Sequence, residues 1–212
     1  MSILRLLSIP ALPALGLSGF LIGVSELRAS EEAGRTLAEI LALAGEGLSP
    51  WPALSPDVRR AQMDLCLRLP DNPVAQVSPT TAVDALSDVC HSRAGAILAD
   101  TPTGGAALAV LAVLGGAEDL ARSQKAAPFE GWLAGHRFAA AQRLAGSPVY
   151  AGVGADAALL ISLGRAEDVA PAYLASHALR ESLAPALGLM PEADKRRFLK
   201  ATEAAGGRLD GL

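Results

Sequence analysis

The feature that most constrains this chain is an uncharged, mostly apolar stretch from Leu6 to Ser25. Its length matches the ~20 residues that a helix needs to cross the ~30 Å hydrocarbon core of a bilayer. A helix satisfies its backbone hydrogen bonds within itself, so it can enter a medium without water. Arg5 precedes the stretch, and charged residues begin again at Glu26. The pattern predicts an N-terminal transmembrane helix, with residues 1–28 as a membrane anchor.

Two other interpretations of this segment stay open. A cleaved secretory signal also has a basic start and an apolar middle, but its apolar part is usually only ~7–15 residues long. Cleavage after Ser30 would place Arg28 at the −3 position, where a signal peptide has a small residue. The third interpretation is a buried helix of a domain that is not anchored. Pro10 and Pro13 disfavour a regular helix at the start of the stretch, so its regular part is expected from about Leu12.

The orientation of the anchor follows from the lengths of the flanking segments. Arg5 lies on one side and Arg28 and Arg35 on the other, so the positive-inside rule favours neither side. The short N-terminal tail and the long remainder favour a cytoplasmic N-terminus. In a bacterium, the protein would then be a single-pass inner-membrane protein with residues 29–212 exported to the periplasm.

Composition predicts an all-α fold for the exported part. The 212 residues include only four Phe, two Tyr and two Trp, and they are rich in Ala and Leu. This usage suits helices, whereas strands favour β-branched and aromatic residues. The net charge of −4 argues against a nucleic-acid partner, because such surfaces are basic.

Helix starts are clearly marked along the chain. Ser55-Pro56, Ser78-Pro79 and Thr101-Pro102 each place a hydroxyl before a proline, the arrangement typical of a helix N-terminus. Short loops between short helices predict an array of antiparallel helical hairpins. The predicted helices are Glu31–Gly45, Pro56–Leu69, Pro79–Ala99, Gly104–Leu114, Glu118–Lys125, Pro128–Leu144, Gly154–Leu163, Glu167–Ala175, Ala178–Leu187 and Pro191–Ala204.

Part of this array resembles a degenerate tetratricopeptide-type (TPR-like) repeat. Small and apolar residues run from Gly105 to Ala112, a Gly115-Gly116 turn and a second helix follow, and Ala126-Ala127-Pro128-Phe129 leads into the next helix with Trp132. The resemblance covers residues 101–144. It implies a protein-binding scaffold with a concave face, and it assigns no functional residues.

Cys66 and Cys90 are the only cysteines of the chain. In an exported domain they would lie in an oxidising compartment, which favours a disulfide bond between them. Two buried free thiols are the alternative. A metal site is not expected, since His91 beside Cys90 supplies only two ligands.

No catalytic or cofactor motif emerges from the remaining polar residues. His91, His136 and His177 fall in separate predicted helices, without a paired metal-ligand spacing. Gly152-Val153-Gly154 lacks the preceding strand and the third glycine of a dinucleotide site. We therefore predict no catalytic, cofactor-binding or metal-binding residues.

The helix predicted over Pro128–Leu144 carries three of the eight aromatic residues, Phe129, Trp132 and Phe138. We expect them to form the centre of the core or, alternatively, a contact for a partner. The leading hypothesis is a membrane-anchored helical scaffold that binds or organises other envelope proteins. Envelope polysaccharide and cell-wall assembly are settings for such a scaffold. The alternative is an enzyme, or an enzyme's accessory subunit, with a pocket near Trp132, His136 and Tyr150.

Overall fold

A computed structural model of the protein describes residues 11–44, 47–115, 118–144 and 150–207, with the backbone alone for residues 11–21. Within these ranges all regular structure is helical, with twelve α-helices, a 3-10 turn at Leu69–Asp71 and no β-strand. The predicted all-α class is therefore confirmed. The helices are α1 Ala11–Ala33, α2 Leu37–Leu43, α3 Pro56–Arg68, α4 Pro73–Val77, α5 Thr80–Asp100, α6 Gly105–Leu114, α7 Glu118–Ala126, α8 Gly131–Arg143, α9 Val153–Ser162, α10 Ala166–Ala175, α11 His177–Leu189 and α12 Glu192–Ala204.

The first helix differs from the predicted membrane span. Helix α1 begins at Ala11 and continues to Ala33, so its C-terminal part takes up charged residues from Glu26 onward. Among the described residues, no helix combines the length and the apolar character that crossing a bilayer requires. The structure thus does not support the transmembrane helix predicted for residues 6–25, of which residues 6–10 lie outside the described part.

The helix predicted over Glu31–Gly45 is interrupted at Gly34. Helix α1 ends at Ala33 and α2 starts after Thr36, whose hydroxyl accepts a hydrogen bond from the Glu39 amide. The Glu39 carboxylate in turn accepts from the Thr36 amide at 2.7 Å, completing a capping box. This local signal for a helix start overrides the continuous apolar pattern. The predicted end at Gly45 lies outside the described residues.

The chain divides into two compact units, Met1–Arg93 and Ala94–Leu212, and the division falls within α5. In the first unit α1 packs against α3, and α2 packs against α4. Its core includes Ile40, Met63 and Leu86, all nearly inaccessible to solvent. Cys66 on α3 and Cys90 on α5 are fully buried there and form a disulfide bond.

Helix α9 is the most widely contacted element of the second unit. It packs against α8, α10, α11 and α12, while α6 packs against α7 and α8. Gly154 permits a close approach of α9 to α11, because a Cβ atom there would lie 2.1 Å from the Ser182 carbonyl oxygen. Tyr173 and Phe198 meet edge-to-face, with ring centroids 5.1 Å apart. Helix α8, in the stretch predicted as Pro128–Leu144, packs against α6, α7 and α9.

The helix over this stretch, α8, starts at Gly131 instead of Pro128. Phe138 is buried, with 3% of its surface exposed, but Phe129 precedes the helix and is 88% exposed. Trp132 is half-buried. Of the three aromatics predicted for the core, only Phe138 belongs to it, because the apolar pattern could not show which side of the helix faces the other helices.

Candidate partner-binding surface

Exposed and half-buried aromatic and apolar side chains lie near the start of α8. Phe129 is 88% exposed, Leu163 is 55% exposed, and Trp132 and His136 are half-buried. Aromatic residues, and tryptophan above all, are enriched among the residues that dominate protein–protein binding energy. We call this group, together with Arg165, the α8 surface: Phe129, Trp132, His136, Leu163 and Arg165.

Local contacts orient the aromatic part of the α8 surface. The Trp132 indole Nε1 donates a hydrogen bond to Glu130 Oε2 at 2.9 Å. Trp132 and His136 are one helical turn apart and meet edge-to-face, with ring centroids 6.3 Å apart. A hydrogen bond and a ring contact thus restrain the indole, which lowers the conformational entropy that it would lose on binding a partner.

Two glycines of α8 let the segment between α9 and α10 lie directly on the helix. A Cβ atom at Gly131 would lie 2.4 Å from Leu163 Cδ1, and one at Gly135 would lie 2.6 Å from Arg165 Nη1. Arg165 also donates through Nε to Asp168 Oδ2 at 2.7 Å. This close approach brings Leu163 to the helix turn that follows Phe129, with Arg165 further along the same helix.

A buried ion pair connects α8 to α9 behind the surface. Arg137 donates to both carboxylate oxygens of Asp156, at 2.7 Å from Nε and 2.6 Å from Nη2. Both side chains are fully inaccessible to solvent. The Tyr150 hydroxyl also donates to Asp156 Oδ2. A carboxylate without such donors would be very costly to bury, so these residues form one interdependent cluster.

The same cluster positions the turn that carries Phe129. Both terminal nitrogens of Arg137 lie 3.4 Å from the carbonyl oxygen of Ala127, two residues before Phe129. Arg137 Nη1 also lies 3.4 Å from Ser123 Oγ, and Ser123 donates to the Gly105 carbonyl at 2.8 Å. The exposed aromatic side chain therefore projects from a segment whose backbone is held from inside.

Burial raises the pKa of the Tyr150 hydroxyl far above its ordinary value, and the neighbouring negative charge of Asp156 raises it further. Ionised Tyr150 would place a second negative charge beside the carboxylate. The hydroxyl therefore keeps its proton and acts as a hydrogen-bond donor over the whole physiological range.

The residues singled out from the sequence separate into three locations. Cys66 and Cys90 form the disulfide that the sequence favoured, with Cα atoms 5.6 Å apart. Trp132 and His136 belong to the α8 surface, whereas Tyr150 belongs to the buried cluster. In the described part of the chain, no group of three or more His, Cys, Asp or Glu side chains is arranged to hold a metal ion.

Sequence reasoning missed the pairing of Arg137 with Asp156. The available signal was a single charged residue within each of two otherwise small and apolar helical stretches, Phe138–Ala141 after Arg137 and Ala157–Ile161 after Asp156. Lone charges in such surroundings are rarely buried unless they are paired. A search for complementary lone charges in neighbouring helices would have proposed this pair.

Comparison of the chain with models of protein families, with curated proteins and with solved structures found no match.

Proposed function

We propose that this protein is a membrane-attached, exported helical scaffold that binds another protein of the cell envelope through the α8 surface. The observation that carries the proposal is the exposure of Phe129, at 88%, on a turn that the buried Arg137 holds through the Ala127 carbonyl. When a partner covers a large apolar side chain that is exposed to water, the free energy of the system falls.

The arrangement of the α8 surface suits recognition of a folded partner. Strong binding sites combine a few aromatic or arginine anchors with polar groups at their edge. Here Phe129 and Leu163 are the apolar anchors and Arg165 supplies a positive charge, while Glu130, next to the surface, supplies a negative one. Because a buried ion pair fixes the supporting helix, binding a partner would cost little further conformational entropy.

The proposed location rests on two features of the first unit. The Cys66–Cys90 disulfide is typical of proteins in oxidising compartments such as the bacterial periplasm. The uncharged residues 6–25 would supply the means of attachment. We therefore place the protein in the inner membrane with its helical part in the periplasm.

Site-specific photo-crosslinking in intact cells tests the proposed binding surface. A benzophenone amino acid at position 129 should crosslink to a discrete set of envelope proteins. Position 189 is a matched control, because Leu189 is also in the second unit and is 90% exposed, compared with 88% for Phe129. Products at 129 that are missing at 189 support the proposal; identical products at both positions, or none at 129, contradict it.

Alanine variants separate binding from folding. Phe129→Ala should leave the melting temperature of the protein unchanged and weaken capture of the crosslinked partner. Phe138→Ala, on the buried side of the same helix, should instead lower the free energy of unfolding by about 3–5 kcal/mol. If Phe129→Ala unfolded the protein as Phe138→Ala does, the aromatic side chain would be structural and the proposed surface would be refuted.

A further inference from the structure

The segment from Trp51 to Ser55, which we call the Trp51 loop, has all of its backbone N–H groups hydrogen-bonded to side chains. Trp51 donates to Ser49 Oγ at 3.3 Å, and Ala53 donates to Gln62 Oε1 at 2.9 Å. Leu54 and Ser55 both donate to the carboxylate of Glu26 on α1. Pro52 has no N–H group.

Three of the five carbonyl groups of the Trp51 loop, those of Ala53, Leu54 and Ser55, also accept hydrogen bonds from the protein. Arg59 Nε donates to the Ala53 carbonyl at 2.8 Å, and Arg59 Nη2 lies 3.4 Å from the Leu54 carbonyl. The Arg59 amide donates to the Ser55 carbonyl at 2.9 Å. A surface loop ordinarily leaves many of these groups to water. This loop depends on water far less, although it lies on the surface.

The side chains of the same region are unusually apolar for a surface. Trp51 is 68% exposed and Leu54 is 60% exposed. On the adjoining helix α1, Leu27 is 64% exposed, and Ile22, one turn before Glu26, is 50% exposed. The region therefore presents apolar side chains to its surroundings, while all of the loop's backbone N–H groups and three of its carbonyl groups are hydrogen-bonded within the protein.

Glu26 sets the position of the Trp51 loop along α1. It is the first charged residue after the uncharged residues 6–25, and it is the residue that holds the loop. If residues 6–25 occupy hydrocarbon, then Glu26 and everything bonded to it lie at the boundary between hydrocarbon and water. Tryptophan is enriched at this boundary, where its ring is apolar and its indole N–H can meet a polar group.

We propose that the Trp51 loop, together with Ile22 and Leu27, is a membrane-interface contact in which the Trp51 ring lies among the lipid headgroups and upper acyl chains. The inference rests on the membrane attachment proposed above. A bilayer fits this region better than a protein partner for two reasons. The region continues the uncharged segment of the same helix. Its backbone N–H groups and most of its carbonyl groups are already hydrogen-bonded within the protein, so few of them would lose water on entering the headgroup layer.

The two tryptophans of the chain allow a direct test with the full-length protein. In Trp132→Phe, Trp51 is the only tryptophan and its fluorescence reports on the loop alone; in Trp51→Phe, Trp132 is the only tryptophan and serves as the matched control. Both variants are reconstituted into phosphatidylcholine vesicles, and circular dichroism checks their fold. Lipids brominated at defined acyl positions then measure the depth of each indole, and aqueous iodide measures its access to water.

We expect Trp51 emission to shift to shorter wavelength in vesicles, to be quenched by bromines near the headgroups, and to lose most of its quenching by iodide. Trp132 emission should respond to iodide equally with and without vesicles. Protein that floats with vesicles while Trp51 stays unquenched by bromines would overturn this inference and leave the membrane attachment intact. Protein that does not float would overturn both. Protection of Trp51 from iodide without any lipid would assign the loop to a protein contact and refute the lipid assignment.

Discussion

Two buried arginines, one in each unit, play the same structural part. Arg93 on α5 donates to both carboxylate oxygens of Glu32 at 2.5 and 2.7 Å and to the Ser49 carbonyl at 2.7 Å from Nη2. Arg137 does the same with Asp156 and the Ala127 carbonyl, the latter at 3.4 Å. A planar guanidinium can hold a carboxylate with one edge and still donate to a carbonyl. Each arginine thereby joins two helices and fixes a non-helical segment beside them.

The raised pKa of Tyr150 predicts a loss of stability in alkali. Its hydroxyl keeps its proton in the folded state, because of burial and the Asp156 charge, at pH values where the unfolded chain ionises. The stabilisation is therefore complete below the ordinary tyrosine pKa of about 10 and declines above it. We expect the free energy of unfolding of the wild type, measured against Tyr150→Phe, to fall by about 1.4 kcal/mol per pH unit above pH ~10.

Urea unfolding from pH 8 upward measures this difference. The comparison with Tyr150→Phe cancels the titration of groups that the two proteins share. A difference between the two proteins that stays constant across the alkaline range would show that the Tyr150 hydroxyl is not buried against the carboxylate.

At the scale of elements, the close packing of α9 on α11 depends on Gly154. A Cβ atom there would lie 2.1 Å from the backbone carbonyl oxygen of Ser182, which cannot move without shifting α11. Gly154→Ala should therefore lower the free energy of unfolding by about 1–3 kcal/mol, the usual cost of overpacking. Gly95 in α5 is the control, since a Cβ atom added there would meet no heavy atom within 4 Å beyond its chain neighbours and the backbone of its own helix.

Gly95→Ala should be neutral or stabilising, by up to ~1 kcal/mol, because alanine is the better helix former. The two variants thus make the same chemical change with opposite expected signs. Thermal unfolding measures the change in stability of each variant. Equal changes at the two positions would rule out a packing role for Gly154.

The disulfide between α3 and α5 is the second element-scale prediction. Its cysteines are 24 positions apart, and both are fully buried. Closing a loop of this length should add about 3 kcal/mol to the free energy of unfolding in the chain-entropy model. The double variant Cys66→Ala with Cys90→Ala should lose that stability. Alanine is used instead of serine because serine would place a hydroxyl in the core. The wild type in reductant should approach the double variant, whereas a denaturation midpoint insensitive to reductant would contradict the prediction.

At the scale of the whole molecule, the proposed topology predicts the fate of a C-terminal reporter. A phosphatase that is active only after export should be active when fused after Leu212, and the fusion should sediment with membranes after a salt wash. Leu15→Arg with Leu17→Arg should release the fusion from the membrane, because each charge within a span costs about 2.5–3.5 kcal/mol. A full-length wild-type fusion that is inactive and found in the cytoplasmic fraction would refute the topology.

Much of the helical order follows from local sequence signals. The predicted starts at Pro56 and Glu118 coincide with those of α3 and α7, and the predicted end at Ala175 coincides with that of α10. Prolines, capping hydroxyls and glycines act over one or two helical turns, so their effects can be predicted from neighbouring residues alone. The all-α class follows from the same signals together with the abundance of Ala and Leu.

The burial of particular side chains depends on contacts between residues that are far apart in the sequence. Periodicity places Phe129 near Phe138 in an apolar stretch, but only packing leaves the first 88% exposed and the second 3% exposed. Arg137 can be buried because Asp156, 19 residues later, is brought against it by the packing of α8 on α9. The sequence alone thus predicted most of the helices, with most of their ends within one residue, but not α4 or the break at Gly34. The tertiary structure alone decided which faces are buried, because a buried charge is stable only where its partner meets it in space.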